Sequence, residues 1–370
     1  MNPLQQLHPH GQSVWLDYIR RQLIASGELS RLIAEDGVRG MTSNPDIFRR
    51  AIGESDEYHE QISELIAANA DIKTVDLYEA LAVADIQASA DALRTVYDAS
   101  GGDDGYVSLE VSPHLADDAS GSIDEARRLF ATVDRPNVMI KVPGTTAGVE
   151  AIETLTADGI NINSTLLFSV EGYAAIAEAY IRGLQRAKKP HDIASVASFF
   201  VSRIDGVVDA ALDDDGSEAA LALKGRTAIA NARVAYQRFQ QIFSDDAFAE
   251  LRQRGARPQR VLWASTSTKS PAYSDVLYVE ELIGPDTVNT MPPATLEAFR
   301  DHGVVRGDTV CQGVEQARND LAQLSSFGID LDRVTDDLQI DGVRKFSDAF
   351  DALMKTLDVK RSALLAEQSA

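Results

Sequence analysis

Residues 137–145 read NVMIKVPGT, a short apolar run that surrounds one lysine and ends in a turn signal. Such a run is typical of a strand that is buried on both faces. Lysine is among the residues least often buried without a partner, so Lys141 at the end of this strand suggests a chemical role. Burial disfavours the charged form of an amine, and a neutral amine forms Schiff bases with carbonyl substrates. The alternative is a lysine that points into water.

Seven other segments share this apolar character, which makes eight predicted strands in all. They span residues 14–18, 38–43, 106–111, 138–142, 159–163, 193–201, 261–266 and 287–291. Segments with helical periodicity lie between them, for example at residues 77–97, 122–132, 170–186, 219–243 and 274–282. Strands that alternate with helices indicate a parallel sheet, and eight favour a closed (β/α)8 TIM barrel over an open doubly wound sheet. No Gly-x-Gly-x-x-Gly motif follows the first strand, which further disfavours a dinucleotide-binding sheet.

The 370 residues are predicted to form one barrel domain over residues 1–370, because no linker or low-complexity tract divides them. Residues 54–99 carry more helix than one crossover needs, which predicts a helical insertion. Residues 330–370 are predicted to be a C-terminal helical extension. Apolar side chains recur in it at spacings of three and four, at Val343, Phe346, Phe350, Leu353 and Leu357. We expect this helix to pack on the barrel exterior or across its mouth; a dimer helix is the alternative.

The overall charge and the cysteine usage exclude several classes of function. A net charge of −22 argues against nucleic acid or an anionic membrane as the main partner, although a local basic pocket could still bind an anionic small substrate. The one cysteine, Cys311, cannot form an intramolecular disulfide and favours a reducing compartment. The N-terminal segment lacks an apolar signal core, and no apolar run approaches the ~18 residues of a membrane span. We therefore expect a cytoplasmic protein.

Polar side chains recur near the ends of the predicted strands. Successive side chains in a strand alternate between its faces, so that Leu109 and Val111 share one face of the third strand, whereas Ser108 and Glu110 share the other. In a TIM barrel the outward face meets helices, and active sites lie at the C-terminal strand ends. The polar residues expected to meet there are Asp17, Asn44, Glu110, Lys141, Asn163, Thr165, Ser198 and Arg203.

This set of side chains limits the possible chemistry. An amine with two carboxylates suits covalent carbonyl chemistry with proton transfer. Arg203 suits a substrate phosphate, and Lys269 after the seventh strand is either a second phosphate contact or a surface lysine. The six histidines are scattered, so we expect neither a metal site nor a cofactor. In the structural alternatives, Asp17 is a helix cap and the strand-end asparagines are turn residues.

Six motifs resemble those of transaldolases and occur in the same order. They are WLD (residues 15–17), GMTSNP (40–45), VSLEV (107–111), IKVPGT (140–145), GININ followed by STLLFS (159–169) and SFFVSR (198–203). The TSNP and Asn163-x-Thr165 segments are specific to transaldolase-like enzymes. Residues 262–269 and 288–293 resemble the longer bacterial branch of the family, found in actinobacteria and cyanobacteria.

The resemblance implies a class I aldolase-type barrel, a transferase of the pentose phosphate pathway. It would move a dihydroxyacetone unit from sedoheptulose 7-phosphate to glyceraldehyde 3-phosphate, giving erythrose 4-phosphate and fructose 6-phosphate. Lys141 matches the Schiff-base lysine of the family, and Asp17 matches the general acid/base of carbon–carbon cleavage. Glu110 with Thr165 matches the pair that holds a catalytic water.

The resemblance also assigns the substrate contacts. Asn44, Asn163 and Ser198 match the groups that hold the dihydroxyacetone part, and Arg203 matches the phosphate-binding arginine. Many transaldolases have a second such arginine after the seventh strand, where this chain has Ser267 and Lys269, so Lys269 is only a candidate substitute. The implied partners are sugar phosphates, a ketose donor and an aldose acceptor, bound by a monomer or a homodimer.

Two rival functions follow from the same residues. One is a fructose 6-phosphate aldolase-like enzyme that releases free dihydroxyacetone, although such aldolases are shorter chains. The other is a sugar-phosphate-binding protein on a barrel that has lost its activity. The presence of Asp17, Glu110 and Lys141 together argues against this loss, because decay should have removed at least one of them.

Overall fold

Eight parallel strands form a closed barrel in which each strand pairs with the next along the chain, and β8 pairs with β1. The structure, a computed structural model, describes residues 2–368, with side chains up to residue 366. The strands are β1 (Gln12–Asp17), β2 (Val38–Thr42), β3 (Tyr106–Glu110), β4 (Val138–Pro143), β5 (Ile162–Leu167), β6 (Ser195–Phe200), β7 (Arg260–Ala264) and β8 (Thr287–Met291). The predicted (β/α)8 fold class is confirmed.

The fifth strand begins three residues later than the sequence pattern predicts. Gly159 adopts a left-handed conformation (φ 89°) in the turn after the preceding helix, and the Asn161 amide donates to the carbonyls of Pro136 and Val138. The predicted span 159–163 is therefore wrong at both ends, because the turn occupies its first residues. The strand continues to Leu167, and its pairing with β6 is irregular around Leu166, which also has a positive φ of 60°.

Helices cover the outside of the barrel and extend beyond it. The α-helices that precede β3 are α1 (Pro3–Leu7), α2 (Arg21–Ala25), α3 (Glu28–Arg31), α4 (Pro45–Phe48), α5 (His59–Ala68), α6 (Thr74–Ala92) and α7 (Arg94–Ala99). Those between β3 and β7 are α8 (Ala119–Val133), α9 (Thr146–Ala157), α10 (Val170–Arg186), α11 (Ser202–Asp215), α12 (Glu218–Leu221), α13 (Thr227–Ile242) and α14 (Ala249–Gln253). The remainder are α15 (Leu277–Glu281), α16 (Pro293–His302), α17 (Val314–Gln323) and α18 (Leu331–Gln368).

Short 3₁₀ and π turns occur in addition to the α-helices. The 3₁₀ turns are His8–His10, Pro113–Leu115, Pro190–Asp192, Thr309–Cys311 and Leu324–Phe327, and the π turns are Leu32–Asp36 and Arg49–Gly53. The predicted helix 170–186 has the observed bounds, and the Ser169 hydroxyl caps it by accepting from the Gly172 N–H at 3.0 Å. The predicted helices 77–97 and 219–243 are each interrupted, which gives the pairs α6 with α7 and α12 with α13.

The C-terminal helix α18 lies across the mouth of the barrel. Gln339 donates hydrogen bonds of 3.1 Å to the carbonyls of Gly144 and Leu166, which lie at the C-terminal ends of β4 and β5. Further along the helix, Leu353 and Leu357 are completely buried, and α18 packs against α4, α5 and α6. Of the two packing modes expected for this amphipathic helix, the structure shows packing across the mouth. Among residues 2–368, no helix combines the length and the apolar character that a membrane span requires.

Candidate active site

A cavity of about 530 Å³ opens at the C-terminal ends of the strands. This volume lies in the range of small-molecule sites, roughly 300–1,000 Å³. Seven of the nine residues predicted for the site line it: Asp17, Asn44, Lys141, Thr165, Ser198, Arg203 and Lys269. The other two, Glu110 and Asn163, accept hydrogen bonds from the lining residues Lys141 and Ser198. Among residues 2–366, no group of three or more acidic, histidine or cysteine side chains is placed to hold a metal ion.

Lys141 is the buried cation at the base of this cavity, and only 4% of it is exposed. Its Nζ donates to Glu110 Oε2 at 3.3 Å and to the Ser43 carbonyl at 3.1 Å. The ring of Phe346 lies over it, with 5.4 Å between Nζ and the ring centroid. A buried lysine that is held by one carboxylate and one carbonyl, and that also borders a cavity, is placed for chemistry on a bound molecule.

Glu110 is the partner of this lysine and is buried as well. Burial raises the pKa of Glu110 to about 7, and the charge of Lys141 opposes this rise. The second oxygen, Oε1, is buried and makes no hydrogen bond within the described part of the chain. Glu110 also borders a second, smaller cavity of about 160 Å³ beside α6 and α8.

Asp17 supplies a second carboxylate at the end of β1. The Thr42 hydroxyl donates to its Oδ1 at 2.6 Å, and the hydroxyls of Thr42 and Thr290 are 2.7 Å apart. Burial raises the pKa of Asp17, while Thr42 and the cations Lys141 and Arg203 act in the opposite direction. The site thus has two carboxyl groups with raised pKa values beside one amine, and Glu110, with a pKa of about 7, can exchange protons near neutral pH.

Asn163 is fixed on both sides of its amide group. Its Nδ2 donates to Ser108 Oγ at 3.0 Å, and its Oδ1 accepts from Ser198 Oγ at 2.7 Å. Asn44 also has a structural role, since its Oδ1 caps α4 by accepting from the Ile47 N–H at 3.0 Å. Its place in the cavity lining and its role as a cap are therefore compatible. Thr165 is fully buried, and its hydroxyl makes no hydrogen bond within residues 2–366.

The two cations Arg203 and Lys269 share one side of the cavity. Arg203 lies with its guanidinium 5.1 Å from the centre of the Phe200 ring. Burial lowers the pKa of Arg203, and the carboxylates Asp341 and Asp17 partly offset that effect. Lys269 donates to Ser267 Oγ at 2.7 Å. Partial burial and the charge of Arg203 lower the pKa of Lys269, and both cations line the same cavity.

Several lining residues were not predicted from the sequence. Thr42 and Thr290 lie on β2 and β8, and an alternation argument applied to those two strands could have indicated both. Phe200 follows Ser198 by two residues on β6, so it was open to the same argument. Phe346 belonged to a recognised apolar stripe, but the stripe alone does not show that one of its rings covers the barrel mouth.

A closed parallel barrel that presents a buried lysine, two carboxylates and a pair of cations at its C-terminal end defines an enzyme for covalent chemistry on anionic carbonyl compounds. A family model described as transaldolase/fructose-6-phosphate aldolase matches residues 14–357. The chain belongs to this family.

Curated relatives named transaldolase are similar over nearly their whole length. Transaldolase 1 of Streptomyces coelicolor is 49% identical over 365 residues, covering 96% of this chain and 95% of the relative. The transaldolase of Frankia alni is 48% identical, with 96% of each chain covered, and that of Thiobacillus denitrificans is 48% identical, with 96% and 99% covered. The resemblance found in the sequence is confirmed, together with the expected class of enzyme, a transferase with transaldolase activity.

Proposed function

We propose that this enzyme transfers a dihydroxyacetone unit from sedoheptulose 7-phosphate to glyceraldehyde 3-phosphate, giving erythrose 4-phosphate and fructose 6-phosphate. The observation that carries the proposal is the buried Lys141–Glu110 pair, with 3.3 Å between Nζ and Oε2, at the base of a cavity whose rim holds Arg203 and Lys269. The amine attacks the ketose carbonyl, and the cations hold the phosphate of the same molecule. A ketose phosphate presents both groups.

Lys141 forms the Schiff base, and Asp17 moves the proton during carbon–carbon cleavage. Attack of Nζ on the ketose carbonyl, followed by loss of water, gives an iminium. Asp17 then takes the proton of the C4 hydroxyl, the C3–C4 bond breaks to release an aldehyde at C4, and the bonding electrons pass to the C2 iminium to form an enamine. The raised pKa of Asp17 favours this use as a base and, in the reverse step, as an acid.

Glu110 and Thr165 hold the water that Schiff-base formation releases and hydrolysis consumes. Support comes from Glu110 Oε1 and Thr165 Oγ1, which are both buried and, within the described residues, make no hydrogen bond. A buried polar atom without a partner is costly, so a water bound to both atoms would offset that cost. A carboxylate with a pKa of about 7 can also pass protons to and from that water.

The three-carbon unit is held by Asn44, Asn163 and Ser198. Asn163 accepts from Ser198 and donates one of its two amide hydrogens to Ser108, which leaves the second amide hydrogen for a substrate hydroxyl. The donor and acceptor phosphates use Arg203, whose Nη1 is buried and without a hydrogen bond among residues 2–366. Lys269 serves in place of the family's second arginine, and its hydrogen bond to Ser267 directs it towards the cavity rim.

The protein acts, we further propose, as one domain over residues 1–370, with a helical insertion at 54–99 and a C-terminal extension at 330–370. The helices α5, α6 and α7 within the insertion and α18 within the extension support this division. We also propose a cytoplasmic monomer or homodimer, in line with a single, exposed cysteine, Cys311.

Borohydride trapping tests the covalent step. Reduction in the presence of fructose 6-phosphate should fix a three-carbon or six-carbon adduct on Lys141, which peptide mass spectrometry would locate. Lys141→Met should abolish the adduct, whereas Lys355→Met, a change at an exposed lysine on α18, should leave it intact. An adduct on another lysine, or none at all, would refute the Schiff-base role.

Turnover with and without an acceptor aldehyde separates the two activities in the family description. A transaldolase forms product from the donor ketose only when the acceptor is present, because the enamine stays attached to Lys141 until an acceptor aldehyde binds. An aldolase releases free dihydroxyacetone in the absence of the acceptor. Sustained release of dihydroxyacetone at the transfer rate would contradict the proposed function and support the fructose 6-phosphate aldolase alternative.

A further inference from the structure

Phe346 lies directly over the amine that reacts. Its ring centroid is 5.4 Å from Lys141 Nζ, only 5% of the residue is exposed, and it lines the same cavity as Asp17 and Ser198. The ring is therefore in contact range of whatever is attached to Nζ. It comes from α18, outside the eight strands that supply most of the site.

The position of this ring is imposed by the packing of α18. Gln339, two turns earlier, holds the helix to the carbonyls of Gly144 and Leu166. Leu353, two turns later, is completely buried. Residues seven apart lie on nearly the same helix face, so this face is anchored on both sides of Phe346. The ring is thus held over Lys141 and does not depend on a mobile loop.

The enamine on Lys141 has two possible fates. Its carbon can attack an acceptor aldehyde, so that a carbon–carbon bond forms and the aldehyde oxygen takes a proton from Asp17. Alternatively, the same carbon takes a proton from water, and the resulting iminium is hydrolysed to free dihydroxyacetone and the lysine amine. Both fates end when water hydrolyses an iminium at its carbonyl-derived carbon. They differ in whether water first reaches and protonates the nucleophilic carbon of the enamine.

We infer that Phe346 is a specificity-determining residue whose ring keeps water from the enamine on Lys141, so that the three-carbon unit passes to an aldehyde. The inference rests on the proposed function. An apolar ring offers water no hydrogen bond, and a position over Nζ occupies the space that a protonating water would need. A phosphorylated acceptor still enters, because Arg203 and Lys269 also line this cavity and can bind its phosphate.

A graded series at this position tests the inference. The measured quantity is the ratio of dihydroxyacetone released to dihydroxyacetone transferred in Phe346→Leu, Phe346→Val and Phe346→Ala. The ratio should rise as the side chain shrinks, by roughly tenfold for alanine, which corresponds to about 1.4 kcal/mol between the two barriers. Leucine should keep the ratio near that of the parent enzyme. Borohydride trapping on Lys141 in each variant verifies that the site is folded.

Phe350→Ala is the matched control. Phe350 lies one turn further along α18 and packs edge-on against Tyr78, with 5.5 Å between ring centroids, and it borders the smaller cavity. Its truncation removes the same ring from the same helix without uncovering Lys141, so the ratio should stay at the parent value. A purely structural role of Phe346 would lower both rates in parallel and leave the ratio unchanged.

Three outcomes decide the matter. A ratio that rises through the Phe346 series but not in Phe350→Ala supports the inference. A flat series, or an equal rise in Phe350→Ala, overturns it while the proposed function stands. If the parent enzyme itself shows no transfer that depends on an acceptor, the proposed function fails first, and the inference fails with it.

Discussion

At the scale of single residues, the site depends on two acidic groups beside one amine, the buried Glu110 and the half-buried Asp17. Desolvation disfavours the charged carboxylate, and a nearby cation favours it. For Glu110 the burial outweighs the attraction of Lys141, so that its pKa rises to about 7. A carboxyl group whose pKa is near the pH at which the enzyme works can both accept and donate a proton efficiently. This balance suits a residue that both releases and activates water.

The pH dependence of adduct formation should report the ionisation of Glu110. Because its pKa is raised to about 7, the carboxylate is mostly protonated below that value and ionised above it. The rate of borohydride-trapped adduct formation should therefore rise with pH and level off above about 7. Glu110→Gln should remove this inflection and slow adduct formation by roughly 10²–10⁴-fold. Glu125→Gln, at a carboxylate on α8 that borders only the smaller cavity, is the control and should retain the inflection. An unchanged inflection in Glu110→Gln would refute the assignment.

At the scale of elements, the register of neighbouring strands brings the reactive groups to one level. Glu110 on β3 is the direct partner of Lys141 on β4, and Lys141 is the partner of Asn163 on β5. Parallel strands carry partner side chains to the same side, so these three residues converge at the C-terminal edge. The same two strand ends, after β4 and β5, receive the hydrogen bonds of Gln339 and thereby hold α18 over the mouth.

Loss of the Gln339 side chain should loosen this attachment. Gln339→Ala removes two hydrogen bonds to backbone carbonyls, one of them on Leu166, which has a positive φ. The free energy of unfolding, measured by urea denaturation, should fall by about 1–3 kcal/mol. The control is Gln316→Ala on α17. It removes only the hydrogen bond from Gln316 to Asp320, one turn further along α17, and should cost about 0.2–0.5 kcal/mol. Equal losses in the two variants would show that Gln339 does not hold the helix.

At the scale of the whole molecule, a strongly acidic protein has two cationic side chains at its active-site cavity. The net charge is −22, yet Arg203 and Lys269 lie close together on the cavity rim. The electrostatic field of the net negative charge repels an anionic sugar phosphate, so binding depends on local contacts with these two cations. Exposed charges further away than about one Debye length, roughly 8 Å at physiological salt, contribute little.

Charge reversal separates the local effect from the general one. Lys269→Glu and Lys355→Glu each change the net charge from −22 to −24, but only Lys269 lines the cavity. Lys269→Glu should raise the KM for the phosphorylated ketose by tenfold or more, since a hydrogen bond to a charged group contributes about 1.5–3 kcal/mol. Lys355→Glu should change KM by less than about twofold because salt screens it. Steady-state kinetics with both variants would reveal any equal effect, which would assign Lys269 to the surface.

Local patterns in the chain were sufficient for the barrel and for most of the side chains at its mouth. Apolar runs and the alternation of strand faces depend only on near neighbours, so they identified all eight strands and the inward direction of Glu110 and Lys141. Conformation at a turn was harder, because the shift of β5 depends on the left-handed Gly159 and on hydrogen bonds from Asn161 to residues more than twenty positions away.

Contacts between distant segments required the folded chain. The apolar stripe of α18 predicted a packed helix, but several surfaces of a barrel can bury such a stripe equally well. The choice of the mouth depends on Gln339 meeting strand ends about 170–195 positions earlier in the chain. Only that docking places Phe346 over Lys141, because no local pattern relates residues 205 positions apart. The strand sequences were thus sufficient to predict the reactive side chains, whereas the position of Phe346 over Lys141 depends on long-range packing.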